Sequence, residues 1–281
     1  LVEDYVHTHQ IGDATDFGGK RLLTAFQMRK RSQIISDNRD QKQSLTLEPK
    51  IIKKDGKLGL GFKVGENKRF VIKDLVYFAQ NVKKSASETY GSNTVINHGI
   101  QNFKPQAKKW IRFILDAVEE EEKIQQRISE ETWYGRRTPK FGQIELYGWR
   151  MDRLFENMQD FAISYEDRDE KKKMELHAAV SDPKLTLSIA PQKEKNIFDG
   201  ILVLMCVPTL YTGTNSAYFV DTDTKKLKKL ENSFYEKLEP LFRQAYNGQV
   251  AFTVGRKHMP DFYYNVLPEI EDEVTVVETD K

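Results

Sequence analysis

The stretch that most constrains this chain runs from Leu58 to Lys84, LGLGFKVGENKRFVIKDLVYFAQNVKK. Leu58, Leu60, Phe62 and Val64 occupy every second position. A period of two places all four on one face of a strand, whereas a helix would scatter them. Gly59 and Gly61 then lie within that strand, and the rival reading is a phosphate-binding loop. A dinucleotide fingerprint needs G-x-G-x-x-G between a strand and a helix, and a P-loop needs G-x-x-x-x-G-K-[ST]. Gly65 comes one residue late for the first, and Asn67-Lys68 does not complete the second. Gly65-Glu66-Asn67 is a turn signal and Phe70-Val71-Ile72 a return strand. Asp74 is placed to cap a helix bearing Leu75, Phe78 and Val82 on one side. The stretch predicts a hairpin feeding a helix, with structural glycines.

The same reading extends in both directions. Residues 1–20 form a polar lead-in, 21–35 a short amphipathic helix and 36–42 a linker. Leu45 to Ile52 reads as a strand interrupted at Pro49. Pro105 opens a long helix in which Trp110, Phe113, Ile114, Ala117 and Val118 repeat at three and four, and whose EEEEKIQQRISEE continuation is a solvated face. Thr132 to Phe141 reads as a loop, followed by Ile144, Leu146 and a helix with Leu154, Phe155 and Met158. The charge run Glu166–Lys173 marks either an exposed turn or a boundary between lobes. Beyond it, strands are expected at 185–189, 201–207, 218–220, 250–254 and 274–277, with helices at 226–246 and 261–266. Hairpin signals recur, so the expected fold is α+β, mainly antiparallel sheet with packed helices in two lobes. The expected division is a lead-in over 1–44, one lobe over 45–165 and a second over 166–281.

Composition narrows the function classes. With 281 residues the chain can bury a sizeable core, and a charged content of 31% against 39% hydrophobic argues against wholesale disorder. A net charge of +2 predicts no strong global attraction to nucleic acid, so any such contact rests on local patches. No apolar run approaches the roughly 20 residues of a membrane span, and no membrane partner is expected. Cys206 is the lone cysteine; it allows no internal disulfide, which points to the cytoplasm. Within ILVLMCV it reads as a buried small hydrophobe. Leu1 in place of methionine leads us to expect an excised piece of a longer chain.

The chain offers residues for three kinds of chemistry. His7 and His9 can share a strand face, but zinc wants three or four protein ligands, and His98, His177 and His258 are distant in sequence. His177 beside Glu175 lacks a nucleophile motif. Glu145, Asp152 and Glu156, with Lys140, are the residue types of a metal-dependent nuclease site. The strongest signal is Trp133-Tyr134-Gly135-Arg136-Arg137-Thr138-Pro139-Lys140-Phe141, where rings interleave with cations in a loop. Rings stack on bases and arginines grip phosphates, so Trp133, Tyr134, Arg136, Arg137 and Lys140 are the expected nucleic-acid contacts. Lys225, Lys226, Lys228 and Lys229, and Arg256-Lys257-His258, are further basic clusters.

The order of several segments carries a resemblance. Leu47-Glu48-Pro49 precedes LGLGFKVG, KRFVIKDLVYFAQNV and INHGIQNFKP. FGQIELYGWRMDRLFENM, DPKLTLSIA, YFVDTDTKKLKKL and FYYNVLPEI follow. Together they resemble the helicase-associated domain of bacterial Swi/Snf-type ATPases, over about Leu45 to Ile270. In that family the module lies between a SWIM zinc finger and a two-lobed motor. The resemblance implies a non-catalytic accessory role, with the motor domain of the same polypeptide as partner and DNA as a further candidate. It implies no cofactor in this piece; ATP and magnesium belong to the motor. The competing expectations are a protein-interaction scaffold that does not touch DNA and a free-standing hydrolase.

Overall fold

The computed structural model describes residues 22–26, 28–29, 42–131, 141–193, 199–246 and 248–278. Residues 22–26 and 28–29 are helical, inside the expected amphipathic stretch. In chain order there follow β1 (Thr46–Lys54), β2 (Lys57–Gly65), β3 (Arg69–Val71), α1 (Leu75–Lys83), β4 (Ser87–Tyr90), β5 (Thr94–Asn97) and α2 (Pro105–Glu131). Next are β6 (Ile144–Glu145), α3 (Trp149–Asn157), β7 (Ile163–Asp167), β8 (Lys172–Val180), β9 (Leu185–Lys193) and β10 (Asp199–Cys206). The last are β11 (Tyr211–Thr212), β12 (Ala217–Asp221), β13 (Lys226–Lys229), α4 (Asn232–Phe242), β14 (Gln249–Gly255), helical turns over 256–270, and β15 (Val274–Glu278). The chain is α+β. Most ladders are antiparallel, and β1·β7, β8·β13 and β9·β15 are parallel. Among the described residues no helix is long and apolar enough to cross a membrane.

Two compact units divide the chain: 1–48 with 63–142, and 49–62 with 143–281. The expected boundary at 165 is therefore displaced to 142, and the turn between β1 and β2 belongs with the C-terminal unit.

In the first unit, β3 pairs antiparallel with the Lys63–Gly65 end of β2. Gly65 has φ +152°, and a Cβ there would overlap the Lys68 carbonyl oxygen, so the turn needs glycine. Asp74 caps α1 by accepting from the Tyr77 N–H at 3.1 Å. Leu75, Phe78, Ala79 and Val82 of α1 are buried, as are Trp110, Ile111, Phe113, Ile114, Ala117 and Val118 of α2. The three-and-four spacing on both helices is the physical reason they present these stripes, and each fully buried large side chain contributes about 1.5–3 kcal/mol. The β4–β5 hairpin, absent from the sequence expectations, completes the unit.

The second unit holds two sheets. One runs β11-β12-β13-β8-β7-β1-β2, with β6 added to β2. The β1·β7 ladder starts at Lys50, one residue past Pro49, which has no N–H to donate. Ile51, Leu60, Tyr165, Leu176, Tyr218 and Leu227 form its buried side. The other sheet, β14-β10-β9-β15, shares a core with Phe219, Phe234, Leu238, Phe262 and Ile270.

Two expectations are corrected here, and a third, left open between two alternatives, is resolved. The predicted helix over 226–246 begins as a strand: Lys226–Lys229 pairs with both β12 and β8, and Leu227 is buried between them, before α4 starts at Asn232. Cys206 is exposed, because in β10 Ile201, Val203 and Met205 take the buried face and the alternate positions face outward. The charge run at 166–173 resolves as the tight turn between β7 and β8. Asp167 is buried there, and it accepts from Lys53 Nζ, Tyr165 Oη and the N–H groups of Asp169 and Glu170. Asp169 in turn accepts from the N–H groups of Asp55 and Gly56, clamping the β1–β2 turn.

Candidate functional site

Trp133, Tyr134, Arg136, Arg137 and Lys140, the expected nucleic-acid contacts, lie outside the described residues, as do His7 and His9. The C-terminal flank of that stretch is fixed in the first unit. Leu75 N–H donates to the Phe141 carbonyl at 2.9 Å, and a Cβ on Gly142 would stand 3.0 Å from the Lys73 carbonyl oxygen.

The two other basic clusters fare differently. Lys228 is taken up by Asp221 at 2.7 Å, with both side chains largely buried, and its ammonium stands 5.6 Å over the Phe219 ring. Burial works to raise the Asp221 carboxyl, but Lys228 and the bonds from Thr224 outweigh it and hold it far below the usual range. Strand alternation thus breaks up the four lysines that look contiguous in sequence. On the open face of the sheet, His177, Lys226 and Asp221 stand in one cross-strand row, and Glu166 and Lys173 in another. The signs alternate, so this face is not the single-sign surface that tracks a phosphate backbone. Arg256, Lys257 and His258, by contrast, are all exposed in one short helical turn. The same helical run carries Tyr263 and Tyr264, 38% and 80% exposed. In sequence the basic triplet and the tyrosines stand close together, and RKHMPDFYY carries the signal that joins them. Asp261 is exposed within the same run.

The acidic set does not come together as a site. Glu145 pairs with Lys57 at 2.9 Å on the surface, and Glu156 is exposed. Asp152 sits on α3 and accepts from Thr214 N–H at 2.8 Å, Ser216 Oγ at 2.6 Å and Tyr218 Oη at 2.7 Å. Burial works to raise its pKa, and these bonds overcome it and hold the carboxyl below its ordinary value. A Cβ on Gly213 would overlap the same carboxylate oxygen, so glycine lets the β11–β12 turn close onto α3. Among the described residues no group of three or more His, Cys, Asp or Glu is arranged to hold a metal ion. Beside Asp152, Arg150 is buried. Its guanidinium lies 4.8 Å from the Tyr147 ring and donates to the Glu145 carbonyl at 3.4 Å.

The first unit carries a groove of about 420 Å³, lined by Phe70–Asp74, Tyr77 and Glu88–Gly91. Tyr77 Oη donates to Glu88 Oε2 at 2.7 Å. Phe70 and Tyr90 pack at 5.8 Å between ring centroids. Behind Tyr90 lies His98, fully buried, whose Nδ1 is 2.9 Å from the Ala86 carbonyl and whose Nε2 is 3.0 Å from Tyr90 Oη. A carbonyl only accepts, so Nδ1 bears the proton and Nε2 accepts from the tyrosine. Burial pushes His98 below its ordinary pKa, against the bond to Ala86, and burial raises Tyr90. This groove is assembled from a strand, a helix terminus and a hairpin.

No family model matches the chain, and no curated protein or solved structure matches it.

Proposed function

We propose that the chain is a non-catalytic accessory domain of a bacterial Swi/Snf-type DNA-dependent ATPase, cytoplasmic, which positions or regulates the motor and touches DNA through local patches. The ordered segments set out above carry the family part of this reading. The observation that carries the DNA part is the run from Arg256 to Tyr264, where exposed cations adjoin exposed tyrosine rings. Cations hold phosphates without regard to sequence, and rings stack on unpaired bases. The engagement of Asp152 by three protein donors favours a structural role for it over a hydrolytic one.

A mobility-shift series across salt tests the proposal. Lys257→Ala with His258→Ala, and separately Arg136→Ala with Arg137→Ala, should weaken duplex binding about equally for all sequences. The Lys257 pair should lower the salt slope by roughly one unit and the arginine pair by roughly one to two. Wild-type binding that ignores both pairs of substitutions would remove these patches. No binding at low salt would leave the scaffold reading in place of the DNA reading.

A further inference from the structure

The helical run over 256–270 contains a turn of unusual pitch. Phe262–Val266 is a π-helical turn, closed by the Leu267 N–H donating to the Phe262 carbonyl five residues back. Such turns are rare and are frequent at functional sites. This one decides which side chains face outward. An α-helix anchored at Phe262 would return to the core at 265 or 266. The wider turn delays that return to Leu267, so Tyr263, Tyr264, Asn265 and Val266 are all exposed in succession. Phe262 and Ile270 are buried, and Met259 and Leu267 pack against the same core. Phe262 also meets the ring of Phe252 on β14 edge-on at 6.0 Å between centroids. The run is therefore fastened along its inner side.

Two rings thus stand outward on a fixed support. The Tyr263 ring is edge-on to Phe262 at 5.7 Å between centroids, and Tyr264 is 80% exposed. The charges beside them limit the form of nucleic acid that suits the patch. Lys257 and His258 are exposed at the start of the run. Asp261 is exposed before the tyrosines and accepts from Asn265 at 3.4 Å, and Glu269 and Glu271 are exposed beyond them. Few cations among such acids give a modest grip on phosphate, which duplex and single strand share. What the rings add is open only to a strand whose bases are not already paired and stacked. We propose that this patch selects an unpaired DNA strand over the duplex. One base stacks on Tyr264, its neighbour meets Tyr263, and Lys257 holds an adjoining phosphate. The inference rests on the DNA reading above and names the form of DNA that the patch takes.

The test uses fluorescence anisotropy at low salt with the full chain and three labelled probes of about 12 nucleotides. They are an oligothymidine, an abasic strand with the same phosphates and no bases, and a duplex. Oligothymidine should bind at least about fivefold more tightly than either of the others. Tyr264→Ala should remove that margin and leave the abasic strand and the duplex unchanged. Tyr264→Phe keeps the ring and should keep the margin. Lys257→Ala should weaken all three probes alike, because each offers phosphates. Tyr264 is exposed, so its variants should melt with wild type, and Tyr264→Phe serves as the reference if Tyr264→Ala melts early. Equal affinity for oligothymidine and duplex, or a margin that survives Tyr264→Ala, overturns this inference and leaves the DNA reading standing. No binding of any probe overturns both and leaves the tyrosines to a protein partner.

Discussion

Replacing Asp152 by alanine removes the acceptor of three hydrogen bonds at once, from Thr214, Ser216 and Tyr218. The three donors are not equally hurt. Thr214 is exposed, so water can take over its N–H. Ser216 Oγ lies 3.2 Å from Tyr218 Oη and retains that partner. Tyr218 is 1% exposed, and that one remaining bond satisfies only one of the two hydroxyl protons that Asp152 accepted, so the other loses its acceptor. A buried donor left unsatisfied costs about 1–3 kcal/mol, and the lost charge-assisted bonds add to it without full additivity, giving about 2–4 kcal/mol in all. For a unit of this size that lowers Tm by roughly 5–12 °C. Thermal and urea unfolding followed by circular dichroism would measure it, with the exposed Glu156→Ala as a control expected within about 0.5 kcal/mol of wild type. The pH dependence supplies a second reading. The Asp152 carboxyl is held below its ordinary value in the fold, so its contribution is present above the unfolded pKa and is lost as pH falls through the folded one. The gap between wild type and Asp152→Ala should therefore be full near neutrality and shrink below about pH 4. A variant as stable as wild type, or more stable, would refute the structural role. It would return Asp152 to the set of residues held in place for chemistry, since functional sites often trade away stability.

Gly65→Ala should cost on the order of 2–3 kcal/mol, because φ is positive and the new Cβ meets the Lys68 carbonyl, and urea unfolding reads this directly. Unchanged stability would mean the hairpin turn is built otherwise. His98 is buried with its pKa lowered, so its contribution is full above an unfolded pKa of about 6.5 and is lost as pH falls toward the folded one. Stability should accordingly decline as pH falls below about 6.5 in wild type and less in His98→Gln, and parallel profiles would contradict this. Phe113→Ala, at a fully buried position of α2, should cost about 3–5 kcal/mol, and a cost under about 1 kcal/mol would show that the helix face is packed loosely.

Several features of the fold were legible because their causes are local. The hairpin from Leu58 to Val71 follows from alternation and a glycine turn, and α1 follows from Asp74 as its cap. The stripe on α2 follows from spacing alone. The β4–β5 hairpin carried a weak signal, since Ser87–Tyr90 shows little apolar alternation, whereas in β8 Met174, Leu176, Ala178 and Val180 alternate and the charged run before them hid the strand. Lys226–Lys229 reads as helix in sequence because lysine and leucine favour helices. It forms a strand because it lies in register with both Ala217–Asp221 and His177–Val180.

The candidate sites divide along the same line. Composition and spacing determined what residues the chain could offer: a basic-aromatic loop, lysine clusters, acidic sets, histidines and one thiol. Tertiary structure decided which of these remain available. Asp152 meets partners more than sixty residues away, Lys228 meets Asp221 across a strand pair, and Cys206 faces outward through the parity of β10. The groove beside Glu88 joins segments that no local pattern connects. Periodicity is a property of neighbours along the chain and survives in the sequence. The engagement of a charge depends on which distant strand arrives opposite it, and that is fixed only when the sheets form.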